Sequence, residues 1–232
     1  MTEEGIDTIA HSGMRGIDLT QAVSSTMSTY PGDPEVSIEK FLVHDRDGCH
    51  VNAIHMGSHT GTHIDAPFHF LKDGRTIDEY PVDRFLGSGV LVDVSGRKPE
   101  EPVVEDDLSD YLSIIEPGDF VIFRTGWDVF FNSSRYFTHP YLTPGVARLL
   151  LKLEVSLVGI DALSVDSTVG NSFSVHRILL GGDVLIVENI CNLGAVPERR
   201  GFYLFLPLKL DSADGSPVRA VFLSRKGRLR SP

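Results

Sequence analysis

The chain has 232 residues, of which 41% are hydrophobic and 23% are charged, as in an ordinary folded globular protein. Its 32 acidic and 21 basic residues give a formal net charge of −11, which argues against a nucleic acid or an anionic membrane surface as a partner. Two cysteines fit a reducing compartment, and without a signal peptide or an apolar run near the ~20 residues of a membrane span we predict a cytoplasmic protein.

The first third of the chain has the pattern of β-structure. We expect a mobile leader over residues 1–15, and Thr20 is predicted to cap a brief helical turn. Strands are predicted over residues 16–19, 37–43 and 51–59. His55 shares the parity of His59 in the third of these strands, but a hydrogen-bonded strand histidine is the favoured interpretation.

Residues 59–69 read His-Thr-Gly-Thr-His-Ile-Asp-Ala-Pro-Phe-His. An extended backbone suits this run, because β-branched residues, a glycine and a proline all disfavour a helix. Side chains then alternate between faces, so His59, His63 and Asp65 share one face and Gly61 leaves room between the imidazoles. Two imidazoles and a carboxylate that converge on one point are the ligands of a divalent metal site.

His69 lies beyond the proline of this run and is predicted to stand beside the metal rather than on it. The competing interpretation is a set of surface histidines near a turn. Three histidines and an aspartate of matching parity, in an otherwise apolar run, favour the metal site.

From residue 89 onward the predicted strands and helices alternate. Strands are predicted over 89–95, 120–124, 155–160 and 184–187, and helices over 105–115 and 143–153. The β-α-β order predicts an α/β fold, with a sheet and helices packed against it. Without an internal repeat or linker, residues 16–224 form one domain, and residues 225–232 are a basic tail. The aromatic-rich segment 126–142 is irregular, and its Trp127 packs over the site or at a subunit contact.

A metal site with two histidines and one aspartate needs further ligands from elsewhere in the chain. His176 lies in a short apolar helix, and Glu188 follows the last predicted strand. A carboxylate that continues such an apolar run is costly to bury unless it is paired or bound to a metal. A structural role remains the alternative for each residue alone. Asp161 and Asp166 are either residues that orient ligands or caps and turn residues.

The run from His59 to His69, followed at long range by His176 and Glu188, resembles the cyclase family of metal-dependent hydrolases. Its best-known members are bacterial kynurenine formamidase and isatin hydrolase. The similarity extends from about residue 17 to residue 223 and includes the runs Tyr30-Pro-Gly-Asp33, Arg124-Thr-Gly-Trp127 and Gly159-Ile-Asp161.

This resemblance implies a swivelling β/β/α single domain with a mixed central sheet flanked by helices. It implies that His59, His63 and Asp65 hold one metal, and that His176 and Glu188 complete a neighbouring site with Asp65 or Glu188 as the bridge. It also implies that His69 is the catalytic acid/base. A homodimer or larger oligomer, with the active site near the subunit contact, is implied as well.

Two features qualify the resemblance. Tyr30 stands where similar kynurenine formamidases carry a substrate-stacking tryptophan, which leaves kynurenine specificity open. The segment 41–53 is closer to the isatin-hydrolase-like branch.

We therefore expect a metal-dependent hydrolase that cleaves the C–N bond of a small aromatic amide or lactam. Metal-activated water would be the nucleophile, with one or two Mn²⁺ or Zn²⁺ ions per subunit. Tyr30 and Trp127 would form the stacking wall for the substrate. The alternatives are a cyclase or lyase that uses the same metal as a Lewis acid, and a non-catalytic metal-binding protein.

Overall fold

Eight strands form one mixed sheet that closes on itself. These strands are β1 (Met14–Asp18), β4 (His63–Asp65), β5 (Leu86–Asp93), β7 (Phe120–Arg124), β9 (Leu157–Ile160), β10 (Leu185–Glu188), β11 (Arg200–Pro207) and β12 (Gly215–Arg225). Their order is β1-β12-β11-β5-β7-β9-β10-β4, and β12 also pairs with β4. All strands except β1 therefore form a closed barrel, in which β5, β7, β9 and β10 run parallel.

The two faces of the barrel wall pack into separate cores. Ile122, Leu157 and Leu185 point into the barrel, where they meet the aromatic side chains of β11 and β12. The alternate residues of the same strands, such as Val121 and Val158, pack outward against the helices. Parallel strands buried on both faces need continuous apolar runs, and this need explains why these strands were recognisable in the sequence.

Helices cover the outer face of the barrel. They are α2 (Pro144–Lys152) and α3 (Ser174–Gly181), whereas the short helix α1 (His44–Asp47) has no buried residue and lies in the connection between residues 42 and 51. Helix α2 begins where Thr143 accepts a hydrogen bond from the amide of Val146 at 3.3 Å and Pro144 occupies the first turn. Helices α2 and α3 pack against each other, and α3 carries His176 towards the barrel wall. No helix in the described part of the chain is long and apolar enough to cross a membrane.

Two short pairings lie outside the barrel. β2 (Ser37–Leu42) and β3 (Val51–His55) form an antiparallel hairpin, and β6 (Pro102–Val103) pairs in parallel with β8 (Tyr141–Leu142). The computed structural model describes residues 13–170 and 172–225, so most of the predicted leader and of the basic tail lies outside the described residues. The leader prediction is wrong at its end, because Met14 and Arg15 belong to β1.

The predicted single α/β domain with a mixed sheet flanked by helices is confirmed, but two predicted helical elements are wrong. Residues Glu105–Leu108 form one 3-10 turn, and no α-helix continues to residue 115. The side chain of Asp107 accepts from the amide of Val104 at 2.8 Å and closes the first turn, but the segment then continues as separate turns, such as the one closed by the Tyr111 amide and the Leu108 carbonyl at 2.9 Å. Thr20 caps no helix: it bridges to Ile190, and its hydroxyl bonds both the amide and the carbonyl of Ala220.

Candidate metal centre

The run from residue 59 to residue 69 is less extended than its sequence suggests. Gly61 has φ +63°, a left-handed conformation that suits glycine and interrupts the alternation of side chains. Only His63–Asp65 forms a strand, and a 3-10 turn follows at Pro67–His69. The preceding strand likewise ends at His55 rather than at residue 59. His59 therefore reaches the site from a loop, while His63 and Asp65 reach it from β4.

The first group of possible ligands surrounds one oxygen of Asp65. Oδ1 lies 2.8 Å from Nδ1 of His59 and 3.3 Å from Nε2 of His63. Ile64, between them, points into the barrel, which leaves His63 and Asp65 on the outer face. Asp65 is fully buried and His63 is nearly so. These three side chains converge on one point, as the sequence predicted.

A second group shares Asp65. Nε2 of His176 lies 3.6 Å from Asp65 Oδ2 and 3.2 Å from Glu188 Oε1. The other oxygen of Glu188 lies 3.6 Å from Nε2 of His63. The antiparallel pairing of β10 with β4 places Glu188 opposite His63, and α3 brings in His176 from the helical layer. The structure thus brings together all five predicted ligands, with both carboxylates between the two groups.

The outer nitrogen of each histidine in these two groups is held by an acceptor. Nε2 of His59 lies 2.9 Å from Asp214, and Nδ1 of His176 lies 2.7 Å from Asp166. Nδ1 of His63 lies 2.8 Å from the carbonyl oxygen of Gly61. Such outer contacts fix the tautomer and aim the other nitrogen at a metal. Asp166 fills both roles proposed for it: it orients the His176 ring, and it caps the first turn of α3 by accepting the amides of Val175 and His176 at 2.9 and 3.0 Å.

The electrostatics of the cluster also fit a cation. Asp65 Oδ2 is buried and has no hydrogen-bond partner in the described residues, a costly arrangement unless positive charge lies nearby. Burial opposes protonation of His59, yet the carboxylates of Asp65 and Asp214 raise the pKa of its imidazole to about 10. In the same way burial disfavours the charged form of Asp65, but His59 and His63 hold the pKa of that carboxyl well below its usual range. These residues fit one or two divalent cations.

His69 stands beside this cluster. The turn at Pro67 brings its ring over that of His59, with ring centroids 3.8 Å apart, and its Nδ1 lies 3.3 Å from Asp214. His59, His69 and Asp214 form a third possible ligand group, but all three are only partly buried. The two fully or almost fully buried carboxylates belong to the other groups, which are better insulated from water.

A cavity of about 320 Å³ opens directly over these side chains. Its aromatic wall consists of Tyr30, Phe70 and Phe173, with Phe70 and Phe173 ring centroids 5.1 Å apart. Tyr30 is thus placed as predicted. Trp127 is not: it is only 2% exposed, packs on Phe130 and lies outside the cavity lining. Its indole nitrogen donates to the carbonyl of Arg135 at 3.3 Å, so it stabilises the irregular segment instead.

The sequence alone did not settle the position of three other polar residues relative to the site. Asp161 accepts from the amide and hydroxyl of Thr125 at 2.7 and 2.6 Å, so it holds the turn after β7 and contacts no ligand. His55 is exposed on β3 and does not line the cavity. Asp214 was missed because its run, Asp-Ser-Ala-Asp-Gly, has the composition of any polar turn between strands.

The Cyclase family matches this chain over residues 17–167, and the chain belongs to that family. Kynurenine formamidase from Bacillus cytotoxicus is 31% identical over 208 residues, which cover 88% of this chain and 95% of that protein. Kynurenine formamidase from Salinibacter ruber is 32% identical over 207 residues, with the same coverage of both chains. The predicted family membership is confirmed.

Solved structures have the same fold. Isatin hydrolase A from Labrenzia aggregata, bound to benzyl benzoate, matches with a TM-score of 0.87 over 96% of this chain and 98% of that chain, at 23% identity. A structure described as a potential metal-dependent hydrolase with cyclase activity matches with a TM-score of 0.76 at 29% identity, over 94% of this chain and 100% of that chain. At 23% identity, the similarity to isatin hydrolase A establishes a shared fold and does not by itself establish a shared activity.

Proposed function

We propose that this protein is a metal-dependent amidohydrolase that cleaves the C–N bond of a small aromatic amide or lactam, such as isatin or N-formylkynurenine. One observation carries the proposal: Asp65 is shared by two largely buried groups of possible metal ligands, and His69 stands beside them in a cavity with an aromatic wall. The kynurenine formamidases and isatin hydrolases among the relatives support the same reaction class.

The proposed metal ligands divide into two sets. His59, His63 and Asp65 would hold one ion, and His176 and Glu188, with Asp65, would hold a second. Imidazole and carboxylate ligands suit Mn²⁺ or Zn²⁺. A divalent cation bound there would lower the pKa of water to near neutrality and polarise a carbonyl.

The remaining residues perform proton transfer and substrate positioning. Because Asp214 occupies Nδ1 of His69, Nε2 is the nitrogen free to take a proton from water and return it to the leaving nitrogen. An aryl ring on that nitrogen makes it a better leaving group. Tyr30, Phe70 and Phe173 offer a stacking surface for such a ring and keep bulk water away from it.

A cyclase or lyase activity is the second candidate, supported by the structural neighbour with described cyclase activity. The same residues would then polarise a carbonyl while His69 moved a proton, without consuming water. Oxygen from labelled water enters the product only in the hydrolytic case. A non-catalytic metal-binding protein has no need of His69, an unliganded titratable group beside the ligands.

We also propose that the protein is a cytoplasmic homodimer or larger homo-oligomer, without a nucleic-acid or membrane partner. The β2–β3 hairpin supports self-association, since Phe41 is 66% exposed and Ile54 is 59% exposed there. The free state of Cys49 and Cys191 agrees with a reducing compartment. Light scattering of the purified protein would measure the number of chains.

The deciding experiment measures metal content and hydrolysis of isatin and N-formylkynurenine, with and without added Mn²⁺ or Zn²⁺. We expect turnover of at least one substrate, loss of turnover on chelation, and recovery when metal is restored. Bound metal without turnover of any aryl amide or lactam would refute the proposed reaction. A protein that binds no metal under any loading condition would refute the proposed site.

A further inference from the structure

Asn189 lines the cavity, and hydrogen bonds fix its backbone there. It directly follows Glu188, is only 4% exposed and has φ +56°, in the left-handed region. Its amide donates to the carbonyl of Ala162 at 2.9 Å, and its carbonyl accepts from the hydroxyl of Thr62 at 2.7 Å. Both backbone groups are therefore satisfied, and the side chain is not needed to complete the backbone hydrogen bonding.

Tyr136 fixes the orientation of the Asn189 side chain through a hydrogen bond. The Tyr136 hydroxyl donates to Oδ1 of Asn189 at 2.8 Å. Tyr136 is fully buried, and this burial raises the pKa of its phenol well above the usual range, so the hydroxyl keeps the proton that it donates. With Oδ1 occupied, Nδ2 becomes the donor group that Asn189 offers to the cavity.

The location of this donor relates it to the reaction centre. Asn189 lines the same cavity as His63 and Glu188. Histidines and carboxylates aimed at a metal cannot also donate to a substrate oxygen, whereas a neutral amide can. An aromatic amide or lactam presents its carbonyl oxygen as the acceptor that such a donor would bind.

We propose that Nδ2 of Asn189 donates a hydrogen bond to the carbonyl oxygen of the substrate, and that Tyr136 is the positioning residue that aims it. This inference rests on the proposed hydrolysis of an aromatic amide or lactam. It adds a specificity element, since a ring without a carbonyl would leave the buried donor unpaired.

The test uses the metal-loaded protein and the substitution Asn189→Gly, which suits the left-handed backbone. Asn192→Gly is the matched control, because Asn192 also has positive φ (58°) but lies outside the cavity lining. We expect kcat/KM for the preferred aryl amide to fall about 10- to 100-fold in Asn189→Gly and less than about twofold in the control. Metal content should match that of the control. The unfolding temperature should fall, because the buried Tyr136 hydroxyl loses its acceptor, so kinetics are measured at a temperature where both variants are fully folded.

Tyr136→Phe provides a second, independent measurement. Alone it should lower kcat/KM by a smaller factor, about 3- to 10-fold, and it should have little effect when Asn189 is already glycine. A role of the phenol that does not act through the Asn189 side chain would lower kcat/KM by the same factor in both backgrounds, and the kinetic coupling would be zero. Unchanged kcat/KM in Asn189→Gly, or additive effects of the two substitutions, would overturn the inference.

Failure of the proposed function has a different signature. If the wild-type protein hydrolyses no aryl amide or lactam, binding of isatin can be compared with binding of indoline, the same ring system without carbonyl groups. The inference then requires that Asn189→Gly weaken isatin binding about tenfold and leave indoline binding unchanged. Equal effects on both ligands, or no binding of isatin by the wild type, would overturn it.

Discussion

The carboxylate of Asp214 lies 2.9 Å from Nε2 of His59, on the side of the imidazole that faces away from Asp65. It is also 3.3 Å from Nδ1 of His69. One carboxylate therefore orients both a proposed metal ligand and the proposed acid/base. This dual contact couples the geometry of the metal site to that of the proton-transfer group.

Replacing Asp214 by alanine should weaken both functions. We expect metal affinity to fall about 10- to 100-fold, because His59 loses the contact that fixes its tautomer. Turnover should stay below wild type even at saturating metal, because His69 is released as well. Metal titration by calorimetry separates the two effects, and Asp211→Ala, an exposed aspartate in the same loop, is the control. Wild-type affinity in Asp214→Ala would show that the contact is incidental.

The metal ligands were predictable from sequence for a physical reason. Three of them lie within one short run, and Glu188 continues an apolar strand where a carboxylate needs a partner. Asp214 carries no such signal, since it follows His59 by 155 residues and reaches it only because β12 closes the barrel against β4. Barrel closure by β11 and β12 was likewise not predicted, because long-range pairing leaves no local pattern.

The wrong predictions have local causes. Leu108 and Ile115 are buried with the spacing of a helical face, but the turns between them are held by local hydrogen bonds. Trp127 was assigned to the pocket because aromatic residues cluster near it in sequence. Its burial under Phe130 and Arg135 depends on tertiary packing that composition cannot reveal.

Replacing His69 by glutamine should separate chemistry from metal binding. Because His69 belongs to neither of the two buried groups that share Asp65, we expect unchanged metal content. Turnover should fall about 100-fold or more, the typical effect of removing a general acid/base. His55→Gln, at an exposed histidine outside the cavity, should keep both properties. Near-normal turnover in His69→Gln with metal bound would refute the proposed role.

The two groups around Asp65 predict two ions per chain. His176→Ala should lower the bound metal by about one ion per chain, since Glu188 and Asp65 alone are a poor site. Elemental analysis after loading with excess Zn²⁺ and desalting measures this loss. His50→Ala, at an exposed histidine near the hairpin turn, is the control. One ion per chain in both the wild type and His176→Ala would restrict the site to His59, His63 and Asp65.

The metal-free protein should lose stability as the pH rises. The pKa of His59 is about 10 in the fold, above its ordinary value of 6.5, so the folded state binds the proton more tightly than the unfolded state does. This stabilisation is complete below pH 6.5 and is lost as the pH approaches 10. Metal must displace the same proton, so metal affinity should rise over the same window.

Two measurements test this opposite behaviour. Thermal unfolding of chelator-treated protein should show a decreasing midpoint between about pH 6.5 and about pH 9, while Zn²⁺ affinity increases. His55→Gln should show the wild-type slopes, because that imidazole is exposed on β3. An unfolding midpoint that stayed constant across this pH range would contradict the assigned charge state of the metal-free cluster.

Gly215 joins the closure of the barrel to the metal site. It opposes Asp65 in the β12–β4 pairing, and a Cβ atom there would lie 2.6 Å from the carbonyl oxygen of Ile64 and 2.9 Å from Cε1 of His59. Both distances are shorter than contact, and the first neighbour is backbone that cannot rotate away. An added methyl group must therefore separate the two strands or displace the imidazole.

We expect Gly215→Ala to lower the free energy of unfolding by about 1–3 kcal/mol and to weaken metal binding at the same time. Gly181→Ala is the matched control, because a Cβ there meets nothing within 4 Å at the end of α3. That substitution should be neutral or slightly stabilising, since it reduces the entropy of the unfolded chain. Urea unfolding and metal titration of both variants measure the two quantities. A destabilised Gly215→Ala protein with normal metal affinity would contradict this expectation. It would mean that β12 moves while His59 stays in place, so that barrel closure does not control the position of His59.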